Sequence, residues 1–279
     1  MVHPDVSGNK WFKLKYNLEK AIAGGHDTIL TFGGAFSNHI AATAAACHLY
    51  GLRSIAVVRC EPGSELNPTL SKAKGLGMQL HFVGREVYTQ KSSEAFEQQL
   101  KEQFGHHYLI PEGGNNAAGA EGCKEILRPL EHYDYIFCAC GTATTFAGLV
   151  ASAKEGQTVI GISVLKGEEQ LAQEAERLTG IAIAGNQGLM ELNAHCISNA
   201  YCFSGYARFD QAIVDFKTDF ENKYAVPLDH IYTSKLFFAV NDLLKSGRLK
   251  SGSKILIVHS GGLQGNRGFE ERYHLKLKR

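Results

Sequence analysis

The chain has 279 residues, of which 44% are hydrophobic and 20% are charged, and its formal net charge is +1. These values are typical of a globular protein, and a net charge near zero gives no global field that draws in nucleic acid or an anionic membrane. The length favours two domains or one large α/β unit. No apolar run is long enough to span a bilayer, and the first residues lack the pattern of a secretory signal.

Apolar runs alternate with helical patterns along the whole chain. The runs predict strands at residues 28–32, 54–59, 79–83, 108–110, 135–140, 158–163, 194–203 and 254–259. The helical patterns predict helices at residues 38–50, 67–75, 87–104, 117–127, 146–153, 168–179, 209–224 and 232–244, besides one that starts at or just after Lys10. This alternation predicts an α/β fold whose parallel sheets are covered by helices on both faces.

The cysteines and histidines show no pattern typical of metal binding. Seven cysteines are scattered without a disulfide framework, which favours a reducing cytoplasm. One residue separates Cys138 from Cys140, and this spacing does not suit a zinc knuckle, so we expect buried thiols there. The 12 histidines are spread out. We therefore expect no metal.

The first stretch with chemical potential is Ser7-Gly8-Asn9-Lys10, followed by two further lysines. Asn9 is a favoured helix cap, and Gly8 permits a close approach of the backbone. A lysine at this helix start, partly desolvated and near other cations, has its pKa lowered from about 10.4 toward neutrality. Its neutral amine is a nucleophile toward carbonyls. Taken alone, the stretch is better explained as a solvated basic helix start.

Residues 141–145, Gly-Thr-Ala-Thr-Thr, join a predicted strand to an apolar helix. A helix N-terminus and turning backbone amides attract an anion, by about 0.3–1 kcal/mol when exposed. A capped strand-to-helix turn explains these residues about equally well. The spacing of a nucleotide P-loop lysine and the dinucleotide glycine fingerprint are both absent here. A single phosphate monoester suits the loop best.

Three other stretches carry polar residues at the ends of predicted strands or starts of helices. Residues 33–39 join a strand to a helix that Ser37 or Asn38 caps, which leaves amides free for a carboxylate. Tyr232 starts a helix, where its hydroxyl can donate or accept a proton, and Tyr206 follows a glycine. Residues 259–262, His-Ser-Gly-Gly, follow a strand and permit close approach to a flat ring. Ordinary caps, turns and half-buried aromatics explain each stretch when it is taken alone.

Together these stretches, the last of them extended to residues 259–265, resemble in order the motifs of the 1-aminocyclopropane-1-carboxylate deaminase and D-cysteine desulfhydrase family. Lys13-Leu14 and Tyr232-Thr233-Ser234-Lys235 are part of the same resemblance. Enzymes of that family depend on pyridoxal phosphate and share the fold of the tryptophan synthase β-subunit. The resemblance implies two open, mostly parallel sheets with the cofactor in a cleft between two domains. Family members carry a longer segment, with a strand, before the lysine. Without that strand, the large domain's sheet loses an edge.

The break at residues 111–116, Pro-Glu-Gly-Gly-Asn-Asn, is the best position for the crossing between those domains. Residues 13–116 then form a small α/β domain. Residues 1–12 and 117–279 form a large domain that binds the cofactor.

The resemblance also implies a role for each site residue. The residues implied in catalysis are Lys10, Tyr232, Tyr206 and Ser37. The residues implied in binding the cofactor are Lys10, Asn38, Gly141, Thr142, Ala143, Thr144, Thr145, Thr233 and Ser260. The residues implied in binding the substrate are Ser37, Asn38, His39, Tyr206 and Tyr232. Released Lys10 is the natural base, and the two tyrosines assist it.

The leading interpretation is a pyridoxal-phosphate lyase that acts on a small amino acid, as a cytoplasmic homodimer without nucleic-acid or membrane partners. The family's deaminases carry a glutamate and a leucine where this chain has Thr233 and Ser260. Neither hydroxyl carries the negative charge that would keep the pyridine nitrogen of the cofactor protonated. Elimination of a thiolate needs less electron withdrawal than opening of a cyclopropane ring. We therefore expect release of pyruvate, sulfide and ammonia from D-cysteine. The alternatives are a 1-aminocyclopropane-1-carboxylate deaminase, an inactive ligand-binding protein on this fold, and a phosphosugar or nucleotide enzyme of Rossmann type.

Overall fold

The computed structural model describes residues 3–166, 168–185, 189 and 192–275. Its strands are β1 Thr28–Gly34, β2 Arg53–Arg59, β3 Gln79–Val83, β4 Tyr108–Ile110, β5 Tyr135–Cys140, β6 Thr158–Ser163, β7 Ala184–Gly185, β8 Cys196–Ser198 and β9 Ile255–Val258. Its helices are α1 Asn9–Ala23, α2 Asn38–Tyr50, α3 Pro68–Gly75, α4 Arg85–Thr89, α5 Glu94–Phe104, α6 Ala117–Lys124, α7 Thr144–Ser152, α8 Glu168–Thr179, α9 Gln211–Tyr224, α10 Thr233–Lys245 and α11 Gln264–Arg272.

The strands form two sheets, and every strand pairing in them is parallel. The first sheet has the order β3-β2-β1-β4, and the second has the order β7-β8-β6-β5-β9. Parallel strands need long crossovers, which here are mostly helices that cover the sheet faces. The predicted α/β fold with parallel sheets is confirmed. The break at residues 111–116 lies between β4 and α6, that is, between the two sheets.

The central strands are buried on both faces, so alternate side chains enter different cores. In β1, Leu30 and Phe32 pack with Leu100 of α5. Ile29 points to the other face and packs with Leu14 and Leu18 of α1. Such strands read as continuous apolar runs rather than alternating ones, which is why they were predictable.

Helix α1 contacts elements on both sides of the predicted boundary between domains. It packs against α2 beside the first sheet and against α6 and α7 beside the second. The approach to α6 is close enough that a Cβ atom on Gly122 would overlap the carbonyl of Phe12. The division of the chain at residue 116 stays a prediction.

Four elements differ from the prediction. The predicted helix 87–104 is two helices, because Ser93 starts α5 by accepting a hydrogen bond from the Phe96 amide at 3.2 Å. The predicted strand 194–203 is reduced to β8, and the chain turns after it. The short edge strand β7 and the polar helix α11 were not predicted. Helix α11 begins with Gln-Gly-Asn-Arg-Gly, which lacks an apolar period.

The cysteines are free thiols, and Cys138 and Cys140 are buried in the second sheet, as expected from their apolar run. No helix in the described part of the chain is both long and apolar enough to cross a membrane. Over the same residues, no group of three or more His, Cys, Asp or Glu side chains is arranged to hold a metal ion.

Candidate active site

A cavity of about 270 Å³ lies between the two sheets, at the carboxyl ends of β1, β5 and β9. This is the edge at which open parallel sheets bind ligands. The sequence-predicted site residues that line it are Lys10, Ser37, Asn38, His39, Gly141, Thr142, Thr145, Tyr206, Tyr232 and Ser260. Three predicted residues, Ala143, Thr144 and Thr233, are fully buried and do not line it.

Lys10 projects from the first turn of α1. The preceding Gly8 has a φ of 59°, and a Cβ atom there would overlap the Ser260 backbone, so only glycine fits this contact between α1 and the loop after β9. Lys10 Nζ donates a hydrogen bond to Asn9 Oδ1 at 2.8 Å. Asn9 Nδ2 in turn donates to Thr145 Oγ1 at 2.8 Å. The lysine is therefore linked through Asn9 to the first turn of α7.

The environment of Lys10 favours a neutral amine. Burial, and then the charge of Lys13, lower the pKa of Lys10 from 10.5 to about 7. Burial also lowers the pKa of Lys13, although that side chain keeps two hydrogen bonds as a donor. A neutral Lys10 amine is available near pH 7 as a nucleophile or a base.

One end of the cavity can hold a phosphate. Lys13 Nζ donates to Thr142 Oγ1 at 3.0 Å and to the Gly113 carbonyl at 2.9 Å. Helix α7 starts behind these groups, and no side chain caps its N-terminal amides. Thr145 Oγ1 accepts from Asn9, so its own proton is free to be donated. A buried cation, two hydroxyls and an uncapped helix start fit one phosphate monoester.

The side chain of Thr144, next to Thr145, stabilises the protein rather than facing the cavity. Thr144 Oγ1 donates to Asn115 Oδ1 at 2.7 Å, and Asn115 Nδ2 donates to Glu174 of α8 at 2.8 Å. Only the backbone amides of Ala143 and Thr144 remain for a ligand. The predicted contribution of these two residues to cofactor binding is thereby restricted to main-chain groups.

Asn38 is oriented by a residue to which the sequence analysis gave no role. Gln264, the first residue of α11, donates a hydrogen bond to Asn38 Oδ1. The Asn38 amide nitrogen lies against Gly262, where a Cβ atom would be in steric conflict with it. Asn38 therefore keeps its NH₂ group as the free donor, which suits an anionic oxygen on a ligand.

His39 is buried as a neutral ring whose hydrogen-bond roles are fixed by its neighbours. Thr31 Oγ1 donates its only proton to the Ile110 carbonyl at 2.7 Å, so it accepts from His39 Nε2 at 3.0 Å. Among the described residues, His39 Nδ1 has no hydrogen-bond partner. Burial, Lys10 and Lys13 hold the pKa of His39 well below 6.5. His39 therefore lines the cavity as a neutral ring whose donor nitrogen is used by Thr31 and whose other nitrogen is buried.

Two tyrosines meet over the cavity. The Tyr232 hydroxyl lies 3.5 Å from the Tyr206 hydroxyl, and their rings are edge to face with centroids 6.0 Å apart. The Tyr232 ring packs on Gly141, where a Cβ atom would lie 2.8 Å from Cε1. Burial raises the pKa of Tyr232 well above 10.0 and also raises that of Tyr206. Both phenols are protonated near pH 7 and act as donors.

Thr233 is held by a buried carboxylate that sequence reasoning missed. Asp229 is 2% exposed, and its oxygens accept from the amides of Ile231, Tyr232 and Thr233. The Thr233 hydroxyl also donates to Asp229 Oδ2 at 2.7 Å. The proton of the Thr233 hydroxyl is therefore used in this hydrogen bond. Of the two hydroxyls predicted near the ring nitrogen, Thr233 and Ser260, only that of Ser260 belongs to a residue that lines the cavity.

Some of the missed residues left a signal in the sequence and others did not. Lys13 lies three residues after Lys10, so both side chains lie on one face of a helix. Asp229 lies just before a predicted helix, which is typical of a capping residue. Gln264 belongs to the motif at residues 259–265, but its partner Asn38 lies far away in the chain. The cavity-lining Arg59 gave no local signal.

Comparison with protein families decides the identity of the site. A model described as "Pyridoxal-phosphate dependent enzyme" matches residues 2–261. The chain belongs to this family. Its cofactor is therefore pyridoxal phosphate. The cavity fits this cofactor, because Lys10 has a pKa of about 7 and one end of the cavity can hold a phosphate.

The chain is similar to several named proteins over most of its length. It is 30% identical to a putative 1-aminocyclopropane-1-carboxylate deaminase of Pyrococcus horikoshii, covering 93% of this chain and 81% of that protein. It is 29% identical to a bifunctional, mitochondrial D-cysteine desulfhydrase/1-aminocyclopropane-1-carboxylate deaminase of Arabidopsis thaliana. That match covers 94% of this chain and 70% of that protein. A solved homologue of the deaminase superposes with a TM-score of 0.78 at 28% identity, covering 95% of this chain and 83% of that one. The two-sheet architecture is that of the fold type II enzymes of this family.

Proposed function

We propose that the protein is a lyase that eliminates the β-substituent of a small amino acid, with D-cysteine as substrate. In the net reaction, cysteine and water give pyruvate, hydrogen sulfide and ammonia. The observation that carries the proposal is the Lys10 amine, with a pKa of about 7, in one cavity with a group of phosphate donors. We call these donors, Lys13, Thr142, Thr145 and the start of α7, the phosphate cup. When bound, the cofactor withdraws electrons from the substrate's α-carbon. The chain's residues bind, orient and move protons around that carbon.

Lys13, Thr142, Thr145 and the start of α7 are proposed to hold the phosphate, and Lys10 to carry the cofactor covalently. Asn38 is proposed to donate to the phenolic oxygen, because Gln264 occupies its carbonyl oxygen. Ser260 is proposed to meet the ring nitrogen. Thr233 supports that arrangement through Asp229 and does not itself reach the cavity.

The substrate carboxylate needs donors, and the start of α2 offers them. Ser37 Oγ accepts from the Ile40 amide at 3.3 Å, so its proton remains available. We propose Ser37 and the adjacent amides for the carboxylate. His39 is proposed to line the substrate end of the cavity as a neutral ring, because its donor nitrogen is used by Thr31.

Proton transfer is proposed to pass through Lys10 and the tyrosine pair. A Lys10 amine with a pKa of about 7 can take the α-proton at neutral pH. The protonated phenols of Tyr206 and Tyr232, 3.5 Å apart, can give a proton to the departing thiolate. The C–S bond breaks with its electron pair on sulfur, and this proton completes the sulfide.

The choice of D-cysteine over the cyclopropane substrate rests on charge at the ring nitrogen. Thr233 and Ser260 carry uncharged hydroxyls. The Asp229 carboxylate already accepts hydrogen bonds from three amides and one hydroxyl, so we do not assign it to the ring nitrogen. A thiolate leaves more readily than a strained carbon, so elimination needs less electron withdrawal. Ring opening remains the second candidate, because the relative from P. horikoshii is named for it.

The test measures pyruvate, sulfide and ammonia from D- and L-cysteine, with 1-aminocyclopropane-1-carboxylate in parallel. We expect equimolar products from D-cysteine, and at least about a hundredfold lower kcat/KM for ring opening, a difference of about 2.7 kcal/mol. Lys10→Ala should abolish turnover. Lys15→Ala, on the same helix but paired with Glu125 at 2.9 Å, is the matched control and should remain active. Efficient ring opening with D-cysteine inert would reverse the assignment.

We further propose that the enzyme is a homodimer in the cytoplasm. Free thiols at all seven cysteines suit a reducing compartment. Light scattering during size-exclusion chromatography tests the assembly, and a mass near twice 30.5 kDa is the expected result. A monomer of full activity would contradict it.

A further inference from the structure

A second cavity, of about 430 Å³, opens beside the active site. It shares Gly34, Arg59 and Tyr206 with the active-site cavity, so the two are neighbours along one path. Four arginines, from four separate segments, line it: Arg59 at the end of β2, Arg85 at the start of α4, Arg208 before α9 and Arg272 at the end of α11. We call this second cavity the arginine vestibule.

Within the described part of the chain, none of the four arginines of the arginine vestibule forms an ion pair with a carboxylate. Carboxylates of the described residues pair instead with Arg53, Arg128, Arg177, Arg248 and Arg267. Glu112 lines the active-site cavity and pairs with Lys91 at 3.3 Å. The Glu61 carboxylate lies 3.5 Å from the position of a Cβ on Gly84, the residue before Arg85, but forms no ion pair with that arginine among the described residues. The whole chain has 29 basic and 28 acidic residues, so four arginines around one cavity do not follow from overall basicity.

The guanidinium groups are also placed on aromatic and glycine surfaces. Arg59 lies over the Tyr88 ring at 5.4 Å, and its Nη2 atom is close to the position of a Cβ on Gly34. Arg272 lies over the Tyr273 ring at 5.4 Å. Tyr273 is itself fixed, because its hydroxyl donates to the Ala207 carbonyl at 3.0 Å. Guanidinium groups placed over aromatic rings keep N–H donors that can bind an oxyanion, often in bidentate pairs.

We propose that the arginine vestibule binds an anionic group, of the phosphate or sulfonate class, on the side chain of the amino-acid substrate. This inference rests on the proposed function, because it takes the amino acid's reacting end to lie in the active-site cavity. Tyr206 and Gly34 border both cavities, so a side chain directed past them from the α-carbon enters the arginine vestibule. A concave site with several cations concentrates anions and orients them.

The first experiment compares substrates on the holoenzyme. It measures kcat/KM for cysteine, O-phosphoserine and cysteate, each as both enantiomers. We expect D-cysteine to be turned over as proposed above, and the anionic substrates to exceed it about tenfold in kcat/KM at low salt. This ratio should fall as ionic strength rises, because exposed charges are screened. A ratio at or below one would overturn the proposal while leaving the lyase assignment intact.

The second experiment removes charge from the arginine vestibule. The double variant Arg85→Gln with Arg272→Gln should lower the ratio about tenfold, because each exposed charge contributes up to about fivefold. Arg267→Gln is the matched control on the same helix, where Arg267 pairs with Glu271 at 2.7 Å. It should leave the ratio unchanged. An equal ratio in the double variant and the parent would refute the assignment.

A binding measurement separates this inference from the proposed function. Calorimetric titration of the holoenzyme with inorganic phosphate should give an affinity that is about tenfold weaker in the double variant. If no amino acid is turned over, the lyase proposal fails, and this titration still decides whether the arginines bind an anion. Phosphate binding without any preference for anionic amino acids would overturn the assignment to the substrate.

Discussion

Lys13 provides the sharpest test of the phosphate cup. It is 3% exposed, and its ammonium donates to Thr142 Oγ1 at 3.0 Å and to the Gly113 carbonyl at 2.9 Å. Lys13→Met keeps the length and apolar stem of the side chain and removes the charge. The phosphate then faces an uncapped helix start without its buried cation.

The expected loss of affinity follows from the burial of this charge. Removing one partner of a buried ion pair costs about 3–5 kcal/mol, and a charge-assisted hydrogen bond contributes about 1.5–3 kcal/mol. We take about 3 kcal/mol, which weakens pyridoxal-phosphate binding about 150-fold. The pKa of Lys10 should also rise toward its ordinary value, because the charge of Lys13 is the second cause of its depression.

The assay titrates the cofactor-free protein with pyridoxal phosphate and follows the visible absorbance band. Lys15→Met is the matched control, because Lys15 is on the same helix but pairs with Glu125 outside the cavity. It should retain the affinity of the parent and lose less than about 1 kcal/mol of stability. A folded Lys13→Met protein that binds the cofactor as tightly as the parent would refute the placement of the phosphate.

Three further predictions follow from the same contacts. The unfolding free energy of the cofactor-free protein should rise with pH between about 7 and 10.5, because only unfolded Lys10 is protonated there; urea titrations should show a flatter pH profile for Lys10→Met. Thr31→Val should cost about 1–3 kcal/mol in the same titrations, because it leaves the buried His39 donor unsatisfied. Gly8→Ala should cost more than about 1 kcal/mol and lower turnover, because its Cβ atom meets the Ser260 backbone; a neutral result would contradict the close contact.

The sequence by itself determined the elements and the edge of the sheets at which the site lies. Apolar runs predicted buried parallel strands, and polar or glycine-rich residues followed β1, β5 and β9. Because the carboxyl ends of parallel strands lie at one edge of a sheet, residues after different strands were expected to converge. Asn38 and Ser260 follow β1 and β9 and line the cavity. Lys10 and Tyr232 were predicted at the starts of helices, and they line it as well.

Only the tertiary structure decided which side of a helix or loop faces the ligand. Thr144 and Thr145 are adjacent in sequence, yet only Thr145 lines the cavity, because successive side chains on a helix point about 100° apart. Likewise, Thr233 was predicted to face the cofactor, and the structure binds its hydroxyl to Asp229 instead. The rotation of each helix is set by its packing, which no local pattern specifies.

The residues contributed from distant segments were also beyond sequence reasoning. Gln264 meets Asn38 across 226 positions of the chain, and the four arginines of the arginine vestibule come from segments around both sheets. A side chain's partner at such separation depends on how the two sheets pack. The sequence therefore determined the chemistry available at the edge of each sheet, and the packing between the sheets decided which groups meet there.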